Sequence, residues 1–207
     1  MKRLTIFGLL AMLGVVGFVG AAVAQVPDCS GEGPDRVGLV WSNGEFSHSP
    51  ALSTLETATL YLFNVSEASV GGWELGLNVP ASVFVAQVTF PGDDALNLGD
   101  NTNLIVGYGT PKVPDAEGNV ALAQFSFIAL DSSPADIIAN PAVPASIPGS
   151  MVYESNGSLF SLESIGGTGQ PIANLFGTPL DYCSGAVNQP PVANDDAAST
   201  TRNIGVN

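Results

Sequence analysis

The feature that most constrains the fold is an alternation of apolar and polar side chains with a period of two. In segment 72–79 the polar positions Glu74, Gly76 and Asn78 alternate with apolar ones, which are Trp73, Leu75, Leu77 and Val79. Successive side chains of a strand point to opposite faces, so this pattern is typical of a strand with one buried and one wet face. We therefore expect the apolar set in the core and Glu74 in water.

Further segments carry the same signature: 37–42, 56–65, 82–90, 104–108, 120–130, 137–139, 151–154 and 158–162. Gly- and Pro-rich turn sequences separate them, and Asn156-Gly157 is the strongest hairpin signal. The chain has 24 Gly and 15 Pro, and beyond residue 24 no ten-residue stretch free of both has a helical period. The sequence predicts an all-β fold, an antiparallel β-sandwich of jelly-roll type with about nine to ten strands.

The charge balance excludes one broad class of function. The 207 residues include 5 Lys+Arg against 19 Asp+Glu, a formal net charge of −14. Proteins that bind nucleic acid through its phosphates need clustered Lys and Arg. We expect no nucleic-acid partner, and a well-hydrated acidic surface.

The first 24 residues have the pattern of a secretory signal peptide. Lys2 and Arg3 precede an apolar run over 4–20, and Ala22-Val23-Ala24 forms a cleavage site before Gln25. A transmembrane anchor is the alternative, but the run is short and interrupted by glycines. We expect a bacterial chain that is secreted, with no membrane insertion after cleavage.

Two cysteines, Cys29 and Cys183, lie near the two ends of the main segment. In an exported chain an even pair favours a disulfide. Closing so long a loop would stabilise the fold by about 4–5 kcal/mol in the chain-entropy model. The pair delimits a predicted sandwich domain over 25–187.

The last segment, 188–207, begins with a Pro-rich linker, and we expect it to be disordered. Its stretch from Pro190 to Asp196, Pro-Pro-Val-Ala-Asn-Asp-Asp, resembles the entry to bacterial Ig-like and cadherin-like repeats. The resemblance implies an incomplete repeat. It also implies that Asp195 and Asp196 match positions that help to hold interdomain calcium.

The main segment resembles a second family. An apolar strand ending in Asn64-Val65 is followed by Gly72-Trp73-Glu74-Leu75 and later by the long apolar strand 120–130. This order is similar to that of the cohesin-like modules of bacterial secreted proteins, over about 57–130. The resemblance implies a jelly-roll β-sandwich that binds a dockerin partner or serves as a surface building block.

No catalytic set is apparent. The only histidine is His48, and no Gly-x-Ser-x-Gly sequence is present, so a nucleophilic triad is not indicated. Asp93 and Asp94 are adjacent and would point apart on an extended chain. We predict that the protein is not an enzyme.

One loop has the composition of a calcium site. Segment 92–103 is rich in oxygen-bearing side chains, and the candidate ligands are Asp93, Asp94, Asn97 and Asp100. Calcium takes six to eight oxygen ligands. The spacing does not follow the EF-hand pattern, and Asp, Asn and Gly are also the ordinary residues of loops. Calcium is therefore the only candidate cofactor.

Exposed aromatic rings would indicate a carbohydrate-binding face. The candidates are Trp41, Trp73, Tyr108 and Tyr153. Trp73 is in phase with a predicted core face, whereas Trp41, followed by Ser-Asn-Gly, could lie at an edge.

Taken together, these features predict a secreted, non-catalytic β-sandwich module of an extracellular or cell-surface protein. Its role would be structural or adhesive, or the binding of a protein partner. The alternative is a carbohydrate-binding module accessory to an extracellular enzyme, with a glycan on the cell surface as its ligand.

Overall fold

A computed structural model describes residues 25–29 and 34–183. Within that part the chain forms twelve strands. They are β1 (Arg36–Trp41), β2 (Ser47–His48), β3 (Leu55–Phe63), β4 (Val70–Asn78), β5 (Val83–Thr89), β6 (Ala95–Asn97), β7 (Asn103–Lys112), β8 (Val120–Ala129), β9 (Ala135–Asn140), β10 (Met151–Ser155), β11 (Ser158–Ser164) and β12 (Pro171–Leu175).

The strands form two layers that share strand β11. The first layer has the order β5-β8-β3-β1. In the second layer β4 is central: β7 lies along one side of it, and β10 and β9 divide the other side. Strand β11 is antiparallel to β10 and then runs parallel to β1, with Arg36 opposite Glu163. The core lies between the layers.

The core contains the residues that the alternation placed inside. Leu39 and Leu60 of the first layer and Leu75 and Leu104 of the second have no exposed surface, and they belong to one apolar cluster. Burial of a leucine side chain stabilises a fold by about 1.5–3 kcal/mol. The predicted all-β fold is confirmed.

Strand direction and strand number differ from the prediction. The β1–β11 and β12–β2 pairs are parallel, so the sheet is mixed rather than antiparallel. The prediction missed β2, β6 and β12, since two or three residues are too few to show a period, and β12 has no alternation. Burial periodicity reports the faces of a strand and not its direction.

The predicted hairpin at Asn156-Gly157 is present between β10 and β11. Asn156 has φ of 50° and Gly157 has φ of 80°. Two successive positive φ angles are what a type I′ turn requires, and Asn followed by Gly is the pair that adopts them most readily.

Cys29 and Cys183 form the predicted disulfide, with their Cα atoms 4.7 Å apart. Around it lies a second, smaller apolar cluster that includes Val40, Phe46 and Phe63. The two ends of the domain are thereby held over the outer side of β1.

The expectation for Glu74 is wrong. Its side chain is buried, and it accepts hydrogen bonds from the amide of Ser146 at 2.5 Å and from the Ser146 hydroxyl at 2.8 Å. The segment between β9 and β10 therefore covers a face of β4 that the alternation assigned to water.

Other predictions concern parts of the chain that the structure does not describe. The signal peptide over 1–24 and the linker with the start of a repeat over 188–207, including Asp195 and Asp196, lie outside the described residues. Within 25–29 and 34–183, no helix is long and apolar enough to cross a membrane.

Candidate functional site

The four candidate calcium ligands lie on the connection between β5 and β7. Some of their side chains already bond to other groups of the same chain. Asp94 pairs with the Lys112 ammonium, with 3.1 Å between Oδ1 and Nζ. Oδ1 of Asn97 accepts the amides of Gly99 and Ile105 at 3.0 and 3.1 Å. Asn97 itself belongs to β6, which pairs with β7, so the predicted loop contains a short strand.

Asp100 ends this strand pairing with a tight turn. Its Oδ1 accepts the amides of Thr102 and Asn103, each at 2.7 Å. These two donors lower the pKa of the Asp100 carboxyl group, because they stabilise its charged form. Asp93 is exposed.

In the described part of the chain, no three His, Cys, Asp or Glu side chains are grouped to hold a metal ion. The bonds of Asn97 and Asp100 are those by which Asx residues stabilise turns. The calcium site at Asp93, Asp94, Asn97 and Asp100 stays a prediction.

The aromatic candidates for carbohydrate binding are all buried. Trp41 is 1% exposed and Trp73 3%, and the Trp73 indole donates to the Tyr108 hydroxyl at 2.9 Å. The expectation that Trp41 lies at an edge is wrong, because its ring packs into the core against Phe127, with ring centroids 5.3 Å apart. These rings cannot stack on a sugar at the surface.

His48 is in contact with two side chains of the fold. Its Nε2 lies 3.2 Å from a carboxylate oxygen of Glu56, and its ring is 5.6 Å from that of Trp41. The pair connects β2 in one layer with β3 in the other.

A surface that the sequence did not reveal lies on the outer side of the first layer. We call it the open face: the outward side chains of β3, β8 and β5, which are Leu55, Thr57, Thr59, Tyr61, Ala121, Gln124, Ser126, Ile128, Phe84, Gln87 and Thr89. None of these side chains carries a charge. In a chain with 19 acidic residues, this absence distinguishes the open face from an ordinary solvated surface.

An apolar row crosses one end of the open face. Leu55 and Phe84 both pair with Ile128, one from each neighbouring strand, so the three side chains lie side by side. Leu55 is 59% exposed and Phe84 55%. The row is therefore available for contact with a partner.

The other end of the open face is polar and slightly concave. A depression of about 350 Å³ is lined by Thr59, Thr89 and Gln124, with Tyr61 and Phe90 at its sides. Hydroxyl and amide groups beside aromatic rings can form hydrogen bonds and apolar contacts to the same ligand.

The disulfide determines which part of the outer surface is open. Val26, Tyr182 and Cys183 pack on the small cluster beside β1, so the joined ends of the domain cover that strand. On β3, Tyr61 also packs on this cluster, whereas the outward side chains of β8 and β5 lie beyond it. The sequence could have located the open face only through the register of these strands, which no local pattern gives.

Comparison with known proteins gives matches in structure alone. No protein-family model matches the chain, and no curated protein matches it. The chain is similar to a cohesin module of a family 33 glycoside hydrolase from Clostridium perfringens, with a TM-score of 0.47 and 10% identity over 63% of this chain and 90% of that one.

Two further solved structures are similar to the chain. The sixth cohesin of Acetivibrio cellulolyticus scaffoldin B, solved in complex with a dockerin, has a TM-score of 0.47 and 9% identity over 69% of this chain and 98% of that one. A non-cellulosomal cohesin from Archaeoglobus fulgidus has a TM-score of 0.42 and 11% identity, over 68% and 88%. These matches name the same kind of module as the sequence resemblance.

Proposed function

We propose that the chain is a secreted, non-catalytic β-sandwich module that binds a protein partner on its open face. Secretion rests on the predicted signal peptide over 1–24. The observation that carries the binding role is the uncharged open face on a chain of net charge −14. The central parts of protein interfaces are depleted in charged residues and enriched in aromatic ones.

The apolar row supplies the anchor of this interface. Phe84 and Leu55 expose more than half of their side chains, with Ile128 between them. A few such side chains near the centre of an interface carry most of its binding energy. The threonine, serine and glutamine side chains around the row would provide hydrogen bonds. The sequence resemblance to cohesin-like modules implies a dockerin as the partner.

The test is affinity capture from the proteins that the source organism secretes. The chain without the predicted signal peptide over 1–24, called the exported chain, is immobilised in three forms. These are the wild type, Leu55→Ser/Phe84→Ser, and the matched control Leu96→Ser/Leu98→Ser. The two leucines of the control are also exposed but lie outside the open face. We expect a partner retained by wild type and control, and bound at least about tenfold more weakly by the open-face variant. Equal retention by all three chains would reject the open face as the binding site.

A carbohydrate-binding module is the second candidate, and the depression beside Tyr61 favours it. Its lining of hydroxyl, amide and aromatic groups suits a short glycan. Electrophoresis through gels containing soluble polysaccharides separates the two candidates. Retardation that Tyr61→Ala abolishes and Leu55→Ser/Phe84→Ser preserves would favour the glycan.

A further inference from the structure

Strand β5 is the open edge of the first layer. Among the residues that the structure describes, β5 pairs only with β8. An edge strand carries a row of backbone N–H and C=O groups without strand partners, and such a row can pair with another extended chain.

The edge has only part of the usual protection against such pairing. Natural edge strands are kept short, carry charged residues or proline, or are twisted by a β-bulge, and β5 has only the last of these. Strand β5 has seven residues, Val-Phe-Val-Ala-Gln-Val-Thr, with neither a charge nor a proline. By contrast, β6 and β2 have three and two residues.

A β-bulge divides the strand. Val85 pairs with Phe127 and Gln87 with Ser126, so Ala86 is the extra residue with no counterpart on β8. The bulge restores the alternation, which keeps Val88 packed on the core and leaves the Ala86 side chain exposed. Because the Leu130 amide bonds to the Ser82 carbonyl and Val85 lies opposite Phe127, the Ala86 N–H points towards β8. The exposed side chain of Ala86 is therefore the place to introduce a charge that blocks the edge, while its N–H is kept.

We propose that an extended segment of a second protein pairs with the edge of β5 and adds a strand to the first layer. The proposal rests on the proposed function and specifies how the partner is held. Backbone hydrogen bonds to β5 provide affinity, and outward side chains of the added strand extend the apolar row beyond Phe84. The segment has apolar residues at alternate positions and Lys or Arg at its ends.

The charge of the chain selects this partner over a second copy. Two copies with a net charge of −14 each repel one another. Exposed carboxylates lie near both ends of the edge: Asp93 follows β5, and Asp131 follows Leu130, whose amide bonds to Ser82 at the start of β5. Lys112, the base near Asp93, is paired with Asp94. Basic residues at the ends of the added strand would meet these acids.

The experiment uses a synthetic peptide, Lys-Thr-Val-Thr-Ile-Thr-Val-Lys, and follows backbone hydrogen exchange of the exported chain. The blocked variant is Ala86→Lys, which places a charged side chain on the edge strand and keeps the backbone N–H. Its matched control is Ala116→Lys, at an exposed position of the 115–118 turn. Val85→Pro, which removes an N–H that points away from β8, is the second variant.

We expect the peptide to slow exchange at 84–89 by about tenfold or more in the wild type and in Ala116→Lys, and to leave exchange in Ala86→Lys and Val85→Pro unchanged. Unchanged exchange at millimolar peptide, or slowing confined to other strands, would overturn the proposal. Slowing that instead follows protein concentration without peptide, with a dimer by light scattering, would assign the edge to a second copy and overturn it too.

Partner capture distinguishes this inference from the proposed function. If Ala86→Lys captures the partner like the wild type while Leu55→Ser/Phe84→Ser does not, the open face binds without an added strand. In that case the edge inference fails and the proposed function stands.

Discussion

The Tyr153 hydroxyl donates a 2.5 Å hydrogen bond to Oδ2 of Asp35, a residue 118 positions away in the chain. Both residues are buried. The amide and the hydroxyl of Ser66 donate to the same carboxylate, each at 2.9 Å. Asp35 thus joins three distant parts of the chain: the entry to β1, the loop after β3, and strand β10.

The first prediction concerns this junction. Tyr153→Phe keeps the ring, which stacks on Phe160, and removes the hydroxyl. We expect a loss of about 1.5–3 kcal/mol in the free energy of unfolding, the usual value of a hydrogen bond to a charged group. Chemical denaturation measures it. Tyr61→Phe, a half-buried tyrosine on the open face, is the control and should change stability by less than about 0.5 kcal/mol.

The second prediction concerns alkaline pH. Burial, followed by the bond to Asp35, raises the pKa of Tyr153 above its usual range. A raised pKa means that its stabilising contribution is complete below the unfolded value of about 10 and is lost as the pH rises above it. We therefore expect the wild type to lose its advantage over Tyr153→Phe as the pH rises from about 9 to about 12. A constant difference across that range would contradict the raised pKa.

Local pattern predicted most of the strands and the core, but it could not predict what covers each strand. Leu75 is buried as the alternation requires, whereas Glu74 is buried as well because Ser146, far along the chain, caps its carboxylate. Trp41 shows the same limit. Its turn sequence indicated an edge, while its ring packs against Phe127 on β8, two strands away in the same layer.

The candidate site was harder to predict from the sequence than the fold. The open face is defined by the register of β3, β8 and β5, which two bulges set: one at Leu122 between β3 and β8, and one at Ala86 between β5 and β8. Bulges arise from the tertiary fit of a strand to its neighbours, so no residue type in the strand sequence indicates one. The disulfide could be predicted because only two cysteines are available.

The third prediction concerns acid. Amides of Thr102 and Asn103 lower the pKa of Asp100, so its contribution is present above the unfolded pKa and is lost as the pH falls through the folded one. Asp100→Asn keeps an acceptor oxygen and removes the titration. We expect the wild type to melt higher at pH 7, and the difference to disappear between about pH 4 and about pH 2. A difference that persists at the lowest pH would contradict this assignment.

The fourth prediction tests calcium. Ligation by Asp93, Asp94, Asn97 and Asp100 requires a rise in melting temperature with millimolar calcium that chelator reverses, since a ligand at one hundred times its Kd stabilises by about 2.7 kcal/mol. The rise should be absent in Asp93→Asn/Asp100→Asn. Identical melts with calcium and with chelator would reject the site.

The fifth prediction concerns the disulfide. Cys29→Ser/Cys183→Ser opens a loop that spans 154 positions, and we expect a loss of about 4–5 kcal/mol by the chain-entropy model. The same change releases the two joined ends of the domain, which cover β1. Denaturant titration of both chains measures the loss, and fluorescence of an apolar dye reports exposure of Phe46. A loss below about 1 kcal/mol would show that the small cluster holds the two ends together without the disulfide.

Gly38 gives the last prediction, which tests how closely the small apolar cluster around Phe46 and Phe63 packs on β1. A Cβ at Gly38 would lie 2.9 Å from Cε1 of Phe46 and 3.0 Å from Cε2 of Phe63, whereas one at Gly107 on β7 would meet nothing within 4 Å. Two rings cannot both yield inside a packed cluster, so Gly38→Ala should cost about 1–3 kcal/mol. Gly107→Ala should stabilise by about 0.4–1 kcal/mol through the unfolded state. Equal effects of the two substitutions in denaturant titrations would mean that the small cluster packs loosely on β1.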